Sequence, residues 1–344
     1  MTAAGLPQRR AVGRVLAIAT PSRVVLAVLL ALLVLAGPPL LGAYWTRILT
    51  VCAIYAVAAG GVVLLYGRLG LVSLNQVSLL GVGAWITMRV GHATGLPFEA
   101  DLLVACVLTA VIGVVIGLPA LRLSGLSLAI VTLMFAGAFE VVFDVTGFPN
   151  GGTGFLGRSG GLQTRLPRPL LGQTDAAYFR YVVIAAIVLF VVLAVHLSTR
   201  PGRAWAAIRQ SEAGAISAGT NTVLHRLWAL ALVSGTTGIA GGLLAGIDGL
   251  LDPIMFRGSQ SILLFATTLI GGGFALGGAV IAGLLSQGLP SLLDALGLDG
   301  NLIFVLLGLG MVQAITTAPR GIAGQLQGLA RRIRRRPHPD EEEQ

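Results

Sequence analysis

Apolar residues in this chain come in long blocks separated by short polar clusters, with no strand-like alternation to compete with them. A hydrocarbon layer of about 30 Å and a rise of 1.5 Å per residue ask for roughly 20 apolar residues per helical crossing. Blocks of that length predict helical spans at 24–43, 48–66, 70–90, 102–119, 125–145, 179–198, 227–247, 259–275, 277–296 and 301–318. Two are interrupted: Ser73, Asn75, Gln76 and Ser78 fall inside one, and Gly271-Gly272-Gly273 ends another. Each is expected to be a broken or re-entrant element, which a membrane tolerates only where backbone is buried in protein or lines a cavity. The first block follows Arg9, Arg10, Arg14 and Arg23, as in a secretory signal, but Gly37-Pro38-Pro39 offers no small-residue cleavage site and it reads as an uncleaved span. The expected fold is an all-α polytopic membrane protein of about ten transmembrane helices (eight to ten). Its parts are an N-terminal segment 1–23, a transmembrane domain 24–318 and a tail 319–344.

Composition agrees with this pattern. Of 344 residues, 55% are hydrophobic and 11% charged, where soluble domains carry roughly a quarter charged residues. The formal charge of +9 does not indicate nucleic acid, because the arginines punctuate apolar runs and form no basic surface interleaved with aromatics. All 23 positive residues are Arg. Without Lys there is no P-loop and no Schiff-base chemistry, so the chain cannot hydrolyse ATP by that route. Cys52 and Cys106 lie in separate apolar runs, form no metal-ligand pattern and read as buried apolar residues. HExxH and paired intramembrane carboxylates are missing, which leaves no catalytic site and no metal or cofactor to expect.

Ten spans with the N-terminus inside place 16 arginines, including Arg68, Arg122, Arg200, Arg203, Arg209, Arg226, Arg320 and those within Arg331–Arg336, on the cytoplasmic side. Seven remain outside: Arg47, Arg89, Arg158, Arg165, Arg168, Arg180 and Arg257. That asymmetry follows the positive-inside rule. Both termini are then cytoplasmic, 146–178 is an external loop, and the tail after Arg320 is a solvated segment ending in acidic residues. Glu140, Asp144, Asp248, Asp252, Asp294 and Asp299 fall near outer helix ends and His196 near an inner one. Proton- or ion-coupled transporters carry ionisable groups deep in the membrane, so uphill movement here would draw its energy from another chain.

Glycines spaced by four, Gly113/Gly117, Gly238/Gly242/Gly246 and Gly273/Gly277, are packing sites for close helices. The denser runs Gly67-Arg68-Leu69-Gly70 and Gly271–Gly273 are candidates for the solute path. The longest polar stretch, 199–226, turns at Pro201-Gly202. It continues in good helix formers from Ala204 to Ala218 and can end at Gly219. Arg209 and Glu212 are spaced to pair on its exposed face. A short surface helix of this kind suits docking into a partner's groove.

Several of these segments together resemble the LivM-type permease family, the membrane subunits of bacterial ABC importers for branched-chain amino acids. The resemblance is carried, in family order, by GRLGLVSLNQVSLLGVGAW at Gly67–Trp85, LRLSGLSLAIVTL at Leu121–Leu133 and TGFPNGG at Thr146–Gly152. It continues through Gly202, Arg203, Ala204, Ala207, Ile208, Arg209, Glu212, Ala213, Gly219 and Asn221, then Ser261–Gly278 and Pro319–Gly324. Departures are Asn75 where the family usually has Gly, Leu79-Leu80 where Phe is common, and Phe148-Pro149 in a turn that is often Gly-rich. At the start of the next span, His225-Arg226 stands in place of a Lys and keeps the charge.

The resemblance implies a second homologous permease subunit, two cytoplasmic ATPase subunits, an external substrate-binding protein and a bacterial inner membrane around a multi-pass chain. Gly202 to Gly219 would then dock the ATPase. Ser73, Asn75, Gln76 and Ser78, facing Thr132 across the bundle, would line the solute path, a neutral polar lining with no charged group nearby to neutralise a zwitterion. Urea and short-chain amide permeases share the motifs and are the alternative solutes. A passive channel or secondary transporter built from the same helices is the alternative of another class.

Overall fold

A computed structural model of the chain describes residues 21–120, 123, 125–158, 164–298, 302–316 and 321–325. The arginines before Pro21, Arg122, Asp299, Arg320, the tail arginines and acidic end, and the start of the closing Pro319–Gly324 motif lie outside the described residues, as does the side chain of Arg23.

All described elements are helical. They run α1 Pro21–Leu64, a wide π-type turn Leu65–Leu69, α2 Gln76–Thr94, α3 Phe98–Ala120, α4 Leu126–Thr146, α5 Asp175–Ser198, α6 Arg200–Gln210, α7 Glu212–Ser217, α8 Thr222–Asp248, α9 Gly258–Gly272, α10 Leu276–Gly283, a second π-type turn Leu284–Gly288, α11 Leu289–Ala295 and α12 Leu302–Thr316. Among them six stretches are long and apolar enough to cross a membrane: Leu40–Leu69, Phe98–Pro119, Leu126–Thr146, Asp175–Ser198, Thr222–Asp248 and Leu276–Ala295. The remaining apolar helices, α2, α9, α12 and the first part of α1, occupy the other four expected spans.

The first two expected spans run together in α1 but are separated where Gly42 takes φ 73°, ψ 170°. Pro38 and Pro39, just upstream, lack the N–H groups that a continuous helix would use. The expected span at 70–90 begins as a helix only at Gln76, because Gly70 enters the left-handed region (φ 73°) and 71–75 form no regular structure. The helix after Thr199 is not continuous to Ala218: Ser211 is extended (φ −160°, ψ 115°) and caps a separate α7 through its hydroxyl, which accepts from the Gly214 N–H.

Two helices form the axis of the bundle. Leu40–Leu69 and Thr222–Asp248 are each 78% buried, whereas α3, α4, α5 and α10–α11 bury 22–33% and turn Leu, Val and Ile side chains outward. A helix apolar all round but covered on one side only suits lipid on the other. α8 packs against α2, α3 and α1, while α1 packs against α5 and α10. Small residues allow these approaches. A Cβ on Gly83 would collide with the backbone of Gly238, and one on Gly113 with Ser234. Gly238, Gly242 and Gly246 face Thr109, Leu102 with Thr87, and Tyr178. The Gly273/Gly277 spacing is not such a pair, because Gly277 has no neighbour within 4 Å.

At one end of the bundle the turn after α4 packs Phe148 against Phe143 and Phe256, with ring centroids 5.4 and 5.1 Å apart. Trp85 donates to the Gly147 carbonyl at 3.0 Å. Arg47 pairs with Asp248, Arg168 with Asp175 at 2.7 Å, and Arg257 with Glu140 at 3.6 Å. Arg68, Arg200, Arg203, Arg209 and Arg226 belong to helix ends and connections at the opposite end.

Gly241 rests on the Leu80 carbonyl of α2 so closely that no side chain fits. Gly241→Leu is expected to force α2 and α8 apart and to cost on the order of 1–3 kcal/mol or more, as overpacking does. Gly277→Ala should be neutral within about 0.5 kcal/mol. Thermal unfolding in detergent distinguishes the two; equal melting temperatures would show that the α2–α8 contact does not hold the bundle together.

Candidate functional site

The break between α1 and α2 organises this end of the molecule. After the π-type turn, Leu71 N–H donates back to Leu65 O at 3.0 Å and Gly70 N–H to Tyr66 O at 3.1 Å. The irregular stretch and the first turn of α2 are held by side chains from other helices. Leu74 N–H donates to Thr132 Oγ1 of α4 at 3.0 Å, and Val77 N–H to Ser261 Oγ of α9 at 3.1 Å. Ser73 Oγ donates to Asn75 Oδ1 at 2.7 Å, and Thr237 Oγ1 of α8 donates to Gln76 Oε1 at 3.1 Å. Buried polar groups thereby meet the partners that an apolar interior demands.

Ser73, Asn75, Gln76 and Thr132 line one cavity, together with Leu65, Leu71 and residues of α3 and α8. Of the residues expected to meet, Ser78 is the exception: it is fully buried, its hydroxyl has no partner among the described residues, and it does not line the cavity. The cavity holds about 30 Å³, room on the order of two water molecules, where ligand pockets span roughly 300–1,000 Å³. In this conformation the cavity is too small to admit an amino-acid-sized solute.

One expectation is corrected outright. The lining is not wholly neutral, because Arg226 reaches the cavity from the first turns of α8. It pairs with Glu212 Oε2 at 2.8 Å, and its side chain keeps only 15% of its exposure. Its position next to a helix start reads as a boundary charge; only the fold of α8 against α2 and α3 turns it inward.

The 199–226 segment is seated on the same end. Gly202, Trp205 and Ile208, at a spacing of three, are buried: Trp205 and Ile208 in an apolar cluster with Leu64, Leu65, Leu69, Leu193 and Val233, and Gly202 against the Leu197 and His196 carbonyls at the end of α5. Trp205 also donates its indole N–H to His225 O at 2.9 Å. Gly202 and Ile208 thus form the seat of α6 and not its open face, which carries Arg203, Ala207, Glu212, Ala213 and Gly219 with Ala204 half-buried. Trp205 was the missed signal, an aromatic residue in the middle of an otherwise polar stretch. Three exposed apolar side chains beside this face, Ile216, Val223 and Leu224, were also not singled out.

Arg209 does not pair with Glu212, because the extended Ser211 breaks the helical spacing between them. Its guanidinium instead donates to the Gly67 carbonyl and lies over the rings of Phe274 and Tyr66, at 4.9 and 5.8 Å. Gly67 and Gly273 touch backbone to backbone directly beneath it, with no room for a Cβ on Gly67. The two glycine-rich runs expected along the solute path therefore meet each other next to the cavity, and neither Gly67 nor Gly271–Gly273 lines it. At the other end Asp101, in the first turn of α3, is a buried carboxylate that sequence reasoning passed over.

A family whose description is the permease component of branched-chain amino acid transport systems matches residues 44–315. Among curated proteins the chain is similar to the high-affinity branched-chain amino acid transport system permease protein LivM of Escherichia coli (strain K12) and to that of Salmonella typhimurium (strain LT2). Each is 30% identical over 266 residues, 71% of this chain and 63% of the relative. The chain thus spans slightly less than two thirds of the length of these relatives. No solved structure is significantly similar.

The seat of α6 can be tested independently of transport. Trp205→Ala should release α6 at a cost on the order of 3–5 kcal/mol, seen as faster tryptic cleavage after Arg203 and Arg209, while Trp205→Phe should keep most of the protection. Unchanged cleavage in Trp205→Ala would show that α6 is held by other contacts.

Proposed function

The chain belongs to the family of branched-chain amino acid transport permease components, and from that premise we propose that it is the membrane-spanning subunit of an ABC importer. It would carry branched-chain amino acids across the bacterial inner membrane with ATP hydrolysed by partner subunits. Those partners are a second homologous permease, two cytoplasmic ATPase subunits and an external binding protein. The chain itself performs no covalent chemistry.

The observation that carries this reading is the link from α6 to the break before α2. α6 and α7 expose one face to a partner and bury the other on the bundle. From α6, Arg209 grips the Gly67 carbonyl at the base of the interrupted helix, whose next residues line the cavity. A partner ATPase that moves α6 on nucleotide binding would move this segment with it. The result would be alternating access, in which the closed cavity is one of two states and the docked partner biases the equilibrium between them. Arg203, Ala207, Glu212 and Ala213, with the exposed Ile216, Val223 and Leu224, would form the docking face, and the end bearing them would be cytoplasmic under the positive-inside rule.

Reconstituted with its partners, the protein should accumulate leucine only when ATP is supplied on the side of α6 and binding protein on the other. Flux that ignores nucleotide would mean a channel or secondary transporter and would overturn the proposal. In the same assay Asn75→Leu should slow transport several-fold in a complex that still assembles; an unchanged rate would leave Ser73, Asn75 and Gln76 as packing residues.

The docking face predicts a shielding result as well. A cysteine introduced as Ala213→Cys should react with a membrane-impermeant maleimide in inverted vesicles lacking the ATPase and be protected once the ATPase is bound. Reaction from outside intact cells would reverse the assigned topology.

A further inference from the structure

We propose that Arg226 receives the carboxylate of the transported solute, which competes for the guanidinium with Glu212, a partner standing outside the cavity lining. The inference rests on the permease reading above and adds the chemical class of solute and the way its arrival reaches the docking segment.

Among the described residues that line the cavity Arg226 is the one that carries a charge, alongside Ser73, Asn75 and Thr132. The first turns of α2 and α4 also contribute lining through Gln76 and Leu128. Helix N-terminal ends carry partial positive charge, so they add to the field of the guanidinium. A guanidinium withdrawn from water needs an anion, and removing its partner is strongly unfavourable.

The two members of the pair are not alike. Glu212 keeps 48% of its exposure and stands at the start of α7 next to solvent, whereas Arg226 keeps 15%. Glu212 can therefore return to water at little cost, provided that another anion takes its place on Arg226. When the cavity opens, a solute carboxylate can do so, exchanging one charge-assisted hydrogen bond for another. Because the exchange is nearly balanced, the solute is held weakly, which permits onward movement. Its ammonium group would face the Ser73 and Asn75 oxygens.

A neutral amide or urea brings no anion and leaves the Arg226–Glu212 pair closed. The site thus selects a carboxylate over its amide. Release of Glu212 also frees the first residue of α7, so a loaded cavity changes the segment offered to the ATPase.

The test uses the assembled transporter in detergent without binding protein, with retention of radiolabelled leucine and of leucinamide measured by equilibrium dialysis. Glu212→Gln, which removes the competing anion, should raise leucine retention by about tenfold, the scale of one charge-assisted hydrogen bond, with leucinamide unchanged. Adding Arg226→Gln should abolish the gain and adding Arg226→Lys should keep much of it, with co-purification of the ATPases confirming assembly of each variant. No gain, an equal gain for leucinamide, or a gain that survives Arg226→Gln would overturn the proposal; should the Arg226→Gln double variant fail to assemble, the leucine-to-leucinamide ratio in Glu212→Gln and in its Arg226→Lys partner decides alone. Wild-type uptake separates the two readings: failure to accumulate leucine removes the amino-acid permease reading, whereas normal uptake without a carboxylate-selective gain removes only this one.

Discussion

A backbone amide left unpaired in an apolar interior is costly enough that irregular chain inside a membrane bundle must be held by specific neighbours. The irregular stretch between Gly70 and Gln76 is where this protein meets that demand. Its Leu74 amide is received by Thr132 of α4, the Val77 amide in the first turn of α2 by Ser261 of α9, and its first polar side chain by Asn75. Because those acceptors come from helices distant in sequence, α4 and α9 must stand where they do, and the close packing of α8 on α2 and α3 keeps them there. A cavity at the break is the geometric by-product of ending one helix and starting another within the bundle.

The same break meets the surface segment. Arg209 satisfies the Gly67 carbonyl, which a wide π-type turn exposes, and its charge is spread over the rings of Tyr66 and Phe274. A side chain that reads as a solvated surface charge is thus a structural tie between α6 and the two glycine runs. Arg226 and Glu212 form a second tie from α7 to the cavity. The surface segment is therefore joined to the interior by two arginines in opposite settings, one drawn to backbone and aromatic rings, the other paired with a half-exposed carboxylate.

The departures from the family pattern have local physical accounts. Phe148 of the turn after α4 completes an aromatic cluster with Phe143 and Phe256 above Gly81, where Cβ-free backbone lets the rings approach. Asn75 accepts from Ser73 directly before α2, a task that a glycine has no side chain to perform. Arg226 pairs with Glu212 through a guanidinium, whose planar fork can match a carboxylate at two points as an ammonium cannot.

By itself the sequence determined the class of the protein: a run of about twenty apolar residues has few stable alternatives to a helix in lipid. Polar residues and glycines inside such runs mark where helices must break, so Ser73, Asn75 and Gln76 were legible as a site, as was the segment from Thr199 to Arg226 as a surface element. The partners of charged side chains were not legible. Arg209 stands three residues from Glu212 in the chain, and helical periodicity pairs them, yet one extended residue, Ser211, sends Arg209 to Gly67 and Glu212 to Arg226. Which way Arg226 points depends on how α8 leans on α2 and α3, and that lean is set by contacts such as Gly83 with Gly238 and Gly113 with Ser234. Those contacts join residues more than a hundred positions apart, so only the tertiary structure could decide that the cavity holds a charge.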